Sequence, residues 1–416
     1  MKRIIFFIVL MLPVYFSYSE NTNNVLEIIL DGKDGVDWDN TPNVKTIHVN
    51  GNPVALYDPY TRGMTNPLCG QIHVHTTNSD GSYPPKTVAA KMKEAGYDFW
   101  TITDHNFITP DPKVNDLIWL CNAYEDTRDT QHTNIYNIPA LYNSNNINDI
   151  ITHFVTNGNS YVMYNHPDWT PQFQPDTKIA NVIKGLSFVE VFNITGTTET
   201  DRAFDILLSK GHRIWGVASD DFHNDSHLKK GWVVAYSASR DPNDIMQALL
   251  TGCFVSSSGF TVKNVELVGN TIKIDTGSPT AVTTFYKENM TALSTTTGKN
   301  AEYSITGNEM FVRAVIKEGN ARCWVQPYFI LSENTGLNEI DASNLKIYPN
   351  PFENILSITG AENSTLRIMN VIGVVVHIQK ITGVNEPVDL QPLPAGMYFF
   401  CVEKDGQTKM VKGVKK

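Results

Sequence analysis

Between residues 70 and 240 two hydrophobic spacings alternate along the chain. The short apolar runs "QIHVH", "FWTITD", "LIWLCNAYE", "TNIYNIPA", "YVMYNHP", "GLSFVEVFN", "HRIWGVASDD" and "GWVVAYS" read as strands. Between several of them, "PKTVAAKMKEAG", "NINDIITHFVTNG" and "TDRAFDILLSKG" carry apolar residues at helical spacing, and each ends near glycine, as a helix C-terminus prefers. Strands alternating with helices predict an α/β unit built on a parallel sheet or barrel. Residues 256–335 change to Thr- and Ser-rich alternating runs, "VKNVELVGNTIKIDT", "AVTTFYKEN", "MFVRAVIKEG" and "CWVQPYFIL", which predict a small β-sandwich packed on that unit. "SENTGLNEIDASN" contains a linker, set at 336–345. Residues 346–416, from "KIYPNPFENILSI" to the lysine-rich end "MVKGVKK", predict a further short β-domain.

The amino-terminal end follows different rules. "MKRIIFFIVLMLPVYFSYSE" has a basic start, an apolar run and small residues at Ser17 and Ser19, the layout of a cleaved signal peptide over residues 1–19. Residues 20–66, rich in Asn, Asp, Gly and Pro, read as a β-rich lead-in with short runs such as "VLEIIL" and "TIHVNG". No later run is long and apolar enough for a membrane helix, so the mature chain is expected outside the cytoplasm with no transmembrane segment.

Composition narrows the function. Forty-one per cent hydrophobic residues describe a globular chain, and a formal charge of −10 argues against a nucleic-acid partner. An anionic substrate therefore has to be held locally. The five cysteines are scattered without CxxC spacing, which suggests neither a disulfide framework nor a thiolate metal site.

The candidate chemistry begins at "GQIHVHTTNSDG". On a strand, positions i and i+2 share a face, so His73 and His75 aim two imidazoles at one point, with Asp80 close behind. Further histidines and acids follow other apolar runs: His105 in "TITDHN", Glu125 and then His132 in "CNAYEDTRDTQH", His166 in "MYNHPDW", and Asp221 with His223 in "VASDDFH". In a β/α barrel the carboxyl ends of the strands converge on one face, which would bring six of the eleven histidines to one site. Histidine and carboxylate ligands without thiolates suit zinc, manganese or iron.

In the order HxH, SDG, TDH, a downstream Glu and His, NHP, "EVFN" and DxH, residues 67–260 resemble the PHP (polymerase and histidinol phosphatase) metallohydrolases, in the branch of CehA/McbA-type enzymes. The resemblance implies a distorted seven-stranded β/α barrel, set at residues 67–255, with two to three divalent metal ions. It implies that His73, His75, Glu125 and Asp221 hold one ion, that Glu125 bridges to a second held by His132 and His166, and that Asp80, His105 and His223 hold a third. Asp126 and Asp129 compete with His132, and Asp220 with Asp221, although only Asp221 keeps the DxH spacing. Asp104 of the TDH motif joins Glu125 and Asp221 as an expected catalytic residue. Arg128, Lys229 and Lys230 are candidates for binding substrate oxygens.

Three divalent ions against the carboxylates of Asp80, Glu125 and Asp221 leave a surplus of positive charge, which favours a small anionic substrate such as a phosphate ester. Hydrolysis of a carboxylic ester, amide or carbamate on the same cluster is the second expectation, and a non-catalytic binding surface the third. The motifs "IYPNPFENILSI", "LPAGMYFF" and "MVKGVKK" resemble the type A C-terminal sorting domain of the type IX secretion system. That resemblance implies export by this machinery, to the medium or the cell surface.

Overall fold

The computed structural model describes residues 42–157, 160–194, 201–331, 346–370, 375–404 and 407–416. The expected signal peptide, the first part of the lead-in and the linker at 336–345 lie outside the described residues. The chain is mixed α/β, with many strands and few helices.

Lead-in residues form a hairpin of β1 (Val44–Val49) and β2 (Asn52–Tyr57). Its two-residue loop is Asn50-Gly51, both at positive φ (51° and 85°), the backbone that lets a tight turn follow the twist of its strands. Then come β3 (Pro67–Gln71), α1 (Pro85–Glu94), β4 (Phe99–Trp100) and β5 (Ile118–Trp119), the three strands mutually parallel. Next are β6 (Ala123–Asp126), β7 (Thr133–Tyr136), α2 (Ile147–Asn157), β8 (Tyr161–Tyr164), α3 (Asp176–Ala180), β9 (Phe188–Asn193), α4 (Asp201–Ser209) and β10 (Trp215–Ser219). Their strands form a second sheet in the order β10-β9-β8-β7-β6.

Two expectations change here. The run "LIWLCNAYE" is not one strand: Ile118–Trp119 belongs to the first sheet and Ala123–Asp126 to the second. The sheet is not wholly parallel either, because β7 runs antiparallel to both β6 and β8. Residues 127–132 are too short a connection for a parallel return, which needs about a dozen residues or more. Two isolated parallel bridges, Val74 with Phe222 and His105 with Glu125, link the sheets just beyond the carboxyl ends of β3, β10 and β4.

The chain continues with β11 (Trp232–Tyr236), α5 (Pro242–Leu250), β12 (Phe254–Ser257), β13 (Asn264–Val268), β14 (Thr271–Asp275), β15 (Val282–Lys287), β16 (Thr291–Thr297), β17 (Asn300–Ser304), β18 (Phe311–Glu318) and β19 (Ala321–Ile330). β13, β14 and β17 make a small antiparallel sheet. β15, β16, β18 and β19 do not close on themselves: β12 pairs with β19 from Val255↔Val325 to Ser257↔Cys323, and the large sheet runs β16-β15-β18-β19-β12-β11-β3-β4-β5. One hydrophobic core joins the hairpin, β10 and β19, with the Trp215 ring 5.8 Å from Tyr57 and 5.5 Å from Phe329.

Residues 346–416 form a three-stranded sheet of β20 (Lys346–Tyr348), β21 (Ile355–Thr359) and β24 (Asn385–Asp389). A four-stranded sheet adds β22 (Ser364–Asn370), β23 (Val375–Ile381), β25 (Gly396–Lys404) and β26 (Gln407–Lys415). Alternate residues Leu356 and Ile358, Leu366 and Ile368, and Phe400 and Val402 point into a core of their own. Each such fully buried side chain stabilises by roughly 1.5–3 kcal/mol.

Candidate metal centre

His73 and His75 lie just past β3, where the chain stays extended. His75 N–H donates to the Phe222 carbonyl at 2.8 Å and Phe222 N–H to the His73 carbonyl at 3.3 Å. Val74 between them turns into a separate apolar cluster, so both imidazoles face the opposite way and are fully buried. The chain then doubles back through Ser79, Asp80 and Gly81. Gly81 N–H donates to the Thr76 carbonyl at 2.9 Å, and a Cβ on Gly81 would lie 2.5 Å from the His75 backbone, closer than any side chain tolerates. The glycine therefore brings Asp80 within reach, with Oδ1 3.7 Å from His75 Nδ1.

Glu125 stands at the centre. Its Oε2 lies 3.5 Å from His73 Nε2, 3.4 Å from His75 Nε2 and 2.9 Å from His105 Nδ1, while its Oε1 lies 3.3 Å from His132 Nδ1 and 3.2 Å from His166 Nε2. Asp221 Oδ1 is 3.3 Å from His73 Nε2 and 3.1 Å from His75 Nε2. Asp80 is 3.3 Å from both His105 Nε2 and His223 Nε2. All nine expected ligands thus converge, in four overlapping groups: His73, His75 and Glu125; His73, His166 and Asp221; Glu125, His132 and His166; and His75, Asp80, His105 and His223. His132 arrives because β7 is antiparallel, so its amino end lies beside the carboxyl end of β6 (Asp126↔Thr133).

The spacing suits a ligand set as well as a hydrogen-bonded network. Donors about 2.1 Å from a tetrahedral ion stand about 3.4 Å apart. The four nitrogen–oxygen separations from His73 Nε2 and His75 Nε2 to Glu125 Oε2 and Asp221 Oδ1 are 3.1–3.5 Å. His73 Nε2, His75 Nε2 and Glu125 Oε2, with His105 Nδ1 and His132 Nδ1, are buried without a hydrogen-bond partner, an expensive condition that a divalent cation relieves. Electrostatics agree. Burial alone would raise the Glu125 carboxyl, but His73, His105, His132 and His166 outweigh it and hold it well below the usual range. Asp221 is held low in the same way by His73, His75 and His223. Burial pushes the His73 imidazole down, yet Asp221, Glu190 and Glu125 keep it well above its ordinary value. Ionised carboxylates packed among imidazoles are a cation's donor set.

Backbone geometry is unusual at two of the expected ligands, with positive φ at His166 (25°) and Asp221 (45°). Asp220, fully buried, braces the second of these: it accepts from Tyr97 OH at 2.6 Å and from the backbone N–H groups of Lys229, Lys230 and Gly231 at 2.9, 2.6 and 2.9 Å. It is a loop clamp, whereas Asp221 faces the cluster. Asp126 and Asp129 turn instead to Arg128 and Lys178.

Three other expected residues, Asp104, Arg128 and Lys229, have their side chains engaged elsewhere. Both oxygens of Asp104 are occupied, accepting from Thr76 N–H and Oγ1 at 2.7 Å each, from Ser79 Oγ at 2.8 Å, and from Thr109 Oγ1. This buckle shapes the loop that holds Asp80. The Arg128 guanidinium is tied to Asp126 and to the Tyr142 carbonyl. The Lys229 ammonium lies over the Tyr97 ring at 3.9 Å, beside Cys69 Sγ. Lys230 gives its backbone N–H to Asp220.

Sequence reasoning assigned no role to Glu190, Asn165, Asn193 or Trp169. Asn165 Nδ2 donates to Glu125 Oε1 at 2.9 Å, Asn193 Nδ2 to Asp221 Oδ2 at 3.2 Å, and Trp169 packs on the rings of His132 and His166. Glu190 accepts from His73 Nδ1 at 2.7 Å. Its visible signals were its place in the "EVFN" motif, to which no role was given, and a lone carboxylate inside the apolar run "FVEVF".

Residues 346–416 match the family model of the secretion system C-terminal sorting domain, and that module supports export of the chain. No curated protein matches the chain. Among solved structures it is similar to a two-domain protein from Bacteroides vulgatus containing a predicted PHP-like metal-dependent phosphoesterase, with 14% identity over 84% of this chain and 98% of that one and a TM-score of 0.35. It is similar also to a lesion-specific endonuclease from Pyrococcus furiosus, with 12% identity over 44% and 56% of the two chains and a TM-score of 0.32. A third is PorZ, a surface component of the type IX secretion system of Porphyromonas gingivalis, with 13% identity over 38% and 23% and a TM-score of 0.17. With scores this low, function rests on the geometry of the site.

Proposed function

We propose that this chain is an exported metal-dependent hydrolase acting on phosphate esters. The observation that carries the reading is the Glu125 carboxylate, buried and shared between two groups of imidazoles, of which His73 Nε2, His75 Nε2 and His132 Nδ1 are unpartnered. We read the two isolated bridges as closing β3, β4, β6, β7, β8, β9 and β10 into a distorted seven-stranded barrel, with the cluster at its carboxyl-end face. Two or three divalent ions of zinc, manganese or iron would be held by His73, His75, Glu125 and Asp221, by Glu125, His132 and His166, and by Asp80, His105 and His223. Such ions supply a water of lowered pKa and positive charge for a developing oxyanion.

The protein's own contribution is position and access. Asp80 is 54% exposed at its side chain, His105 28% and His223 20%, against 1% or less for His73, His75 and Glu125, so substrate approaches from the Asp80 side. Asn165 donates to Glu125 Oε1, the oxygen that faces His132 and His166, and Asn193 to Asp221 Oδ2, and these bonds orient the two carboxylates. One observation favours the second reading, hydrolysis of a carboxylic ester, amide or carbamate: Arg128 and Lys229 are engaged elsewhere, and Glu190 adds a negative charge beside His73. The sorting domain and the signal peptide read from the sequence support delivery by type IX secretion to the cell surface or medium.

The deciding experiment measures metal content, then compares p-nitrophenyl phosphate, bis-p-nitrophenyl phosphate, p-nitrophenyl acetate and a naphthyl carbamate on the wild type and on Asp80→Ala. Bound transition metal, with phosphate esters turned over fastest and lost in Asp80→Ala, is the expected result. No metal after reconstitution removes the reading. Acetate or carbamate turned over fastest, with Asp80→Ala harmless, transfers it to acyl hydrolysis.

A further inference from the structure

Glu190 occupies the middle of β9 and is fully buried. A strand position of this kind takes Val or Ile at no electrostatic cost, whereas a buried carboxylate has to recover its lost hydration through hydrogen bonds. Glu190 does so with both oxygens. Oε1 accepts from His73 Nδ1 at 2.7 Å and from the Ser219 hydroxyl at 2.5 Å, and Oε2 accepts from the backbone N–H of His166 and from Asn193 Nδ2, each at 2.8 Å. The same Asn193 amide reaches Asp221 Oδ2 at 3.2 Å. One carboxylate therefore holds a ligand from each side of the cluster.

We propose that Glu190 is the positioning residue that aims His73 and His166 at the metal centre; the inference rests on the metal-dependent reading above. By accepting from Nδ1 it keeps the proton on that nitrogen, so that Nε2, which faces Glu125 and Asp221, is the nitrogen left to give up its proton and take a cation. By accepting from the His166 N–H it holds a residue at φ 25°, a conformation that a non-glycine backbone keeps only when its surroundings insist. Charge-assisted hydrogen bonds of this length are the stronger kind. Glu190 ligates nothing itself, because both oxygens are already used.

The test uses the full chain, with zinc alone as probe and a chromophoric chelator as competitor. Glu190→Gln is expected to weaken zinc binding by roughly 10–100-fold, as loss of a ligand's hydrogen-bonded partner does. Ser219→Ala removes a donor to the same oxygen but touches no ligand, and is expected to bind as the wild type does. In the metal-free protein, the hydrogen-bonded His73 Nδ1–H gives a low-field NMR signal that Glu190→Gln displaces. Should Glu190→Gln fold poorly, Glu190→Asp, which keeps the charge and shortens the reach, is expected to show the same loss of affinity. Unchanged zinc affinity per folded molecule, with an unmoved His73 signal, overturns the proposal and leaves Glu190 a structural residue. A wild type that binds no zinc while the His73 signal still responds to Glu190 fails the metal reading instead.

Discussion

Glu125→Gln keeps the shape of the side chain and removes only its charge and one lone-pair face, and the structure dictates which face is lost. Asn165 Nδ2 donates to Oε1 at 2.9 Å, and the same amide nitrogen donates to Asn134 Oδ1, so it remains a donor in the variant. The new glutamine must therefore place its carbonyl at the Oε1 position and its NH2 at Oε2, facing His73, His75 and His105. An amide nitrogen has no lone pair to offer a metal. The expected group of His73, His75 and Asp221 would lose its fourth ligand, while His132 and His166 would keep a neutral oxygen. Loss of a mere second-sphere partner costs about 10–100-fold in affinity, so loss of a direct charged ligand costs at least about 100-fold, or about 2.7 kcal/mol. His132→Ala touches one group only. Elemental analysis after dialysis against graded chelator is the assay: Glu125→Gln is expected to release metal at lower chelator than His132→Ala and to lose more of it. Equal retention in the two variants would refute the sharing of Glu125.

Three further outcomes follow from other parts of the molecule. Gly81→Ala forces a Cβ to within 2.5 Å of the His75 backbone; it is expected to destabilise by about 1–3 kcal/mol in urea melts and to release one ion before the others, and a fully loaded, equally stable variant contradicts the turn argument. Deleting residues 337–416 is expected to leave metal content and hydrolysis unchanged while stopping delivery to the surface or medium, because residues 346–416 have their own core; loss of metal in the truncated protein would show the boundary to be misplaced. Burial holds the His212 imidazole down at about 3, against an ordinary 6.5, so the native state keeps it neutral. Its contribution is complete above pH 6.5 and lost as pH falls, by about 2 kcal/mol at about pH 5. His212→Leu is expected to flatten that part of the acid limb in chelator-containing urea melts, and an unchanged difference between about pH 7 and pH 5 rules the group out.

Most of the expected ligands were legible because they follow the end of an apolar run, and hydrophobic spacing marks such ends well. His73 and His75 needed only the two-residue period of an extended chain, which persists past the end of β3 through the Val74 bridge. What surrounds them was less visible. Asp104 follows an apolar run as His105 does, and nothing in "TITDHN" says that its carboxylate turns back to Thr76 and Ser79. Arg128 and Lys229 carried the right charge, but a long flexible side chain chooses its partner only after folding, here a neighbouring acid and an aromatic face. Glu190 was in view in "EVFN" but its role was not: its four donors come from residues 73, 166, 193 and 219, a convergence that no local pattern encodes. The direction of β7 was available in principle, since the shortness of residues 127–132 already excluded a parallel return.

The ladder between β12 and β19 has a mechanical consequence. The folded part that bears the metal centre ends at β19, a ten-residue strand flanked in the large sheet by β18 and β12 and touched at its end by β2. Tension applied through the C-terminal domain therefore enters the molecule along an interior strand. It loads the flanking hydrogen bonds together in shear, instead of opening an edge strand one bond at a time. From β19 the load spreads through β12 and β11 to β3, the strand that leads directly into His73 and His75. A tether at the end of this chain thus pulls on a broad sheet rather than on the loops that shape the site, and the ligands can keep their spacing while the molecule is held against flow.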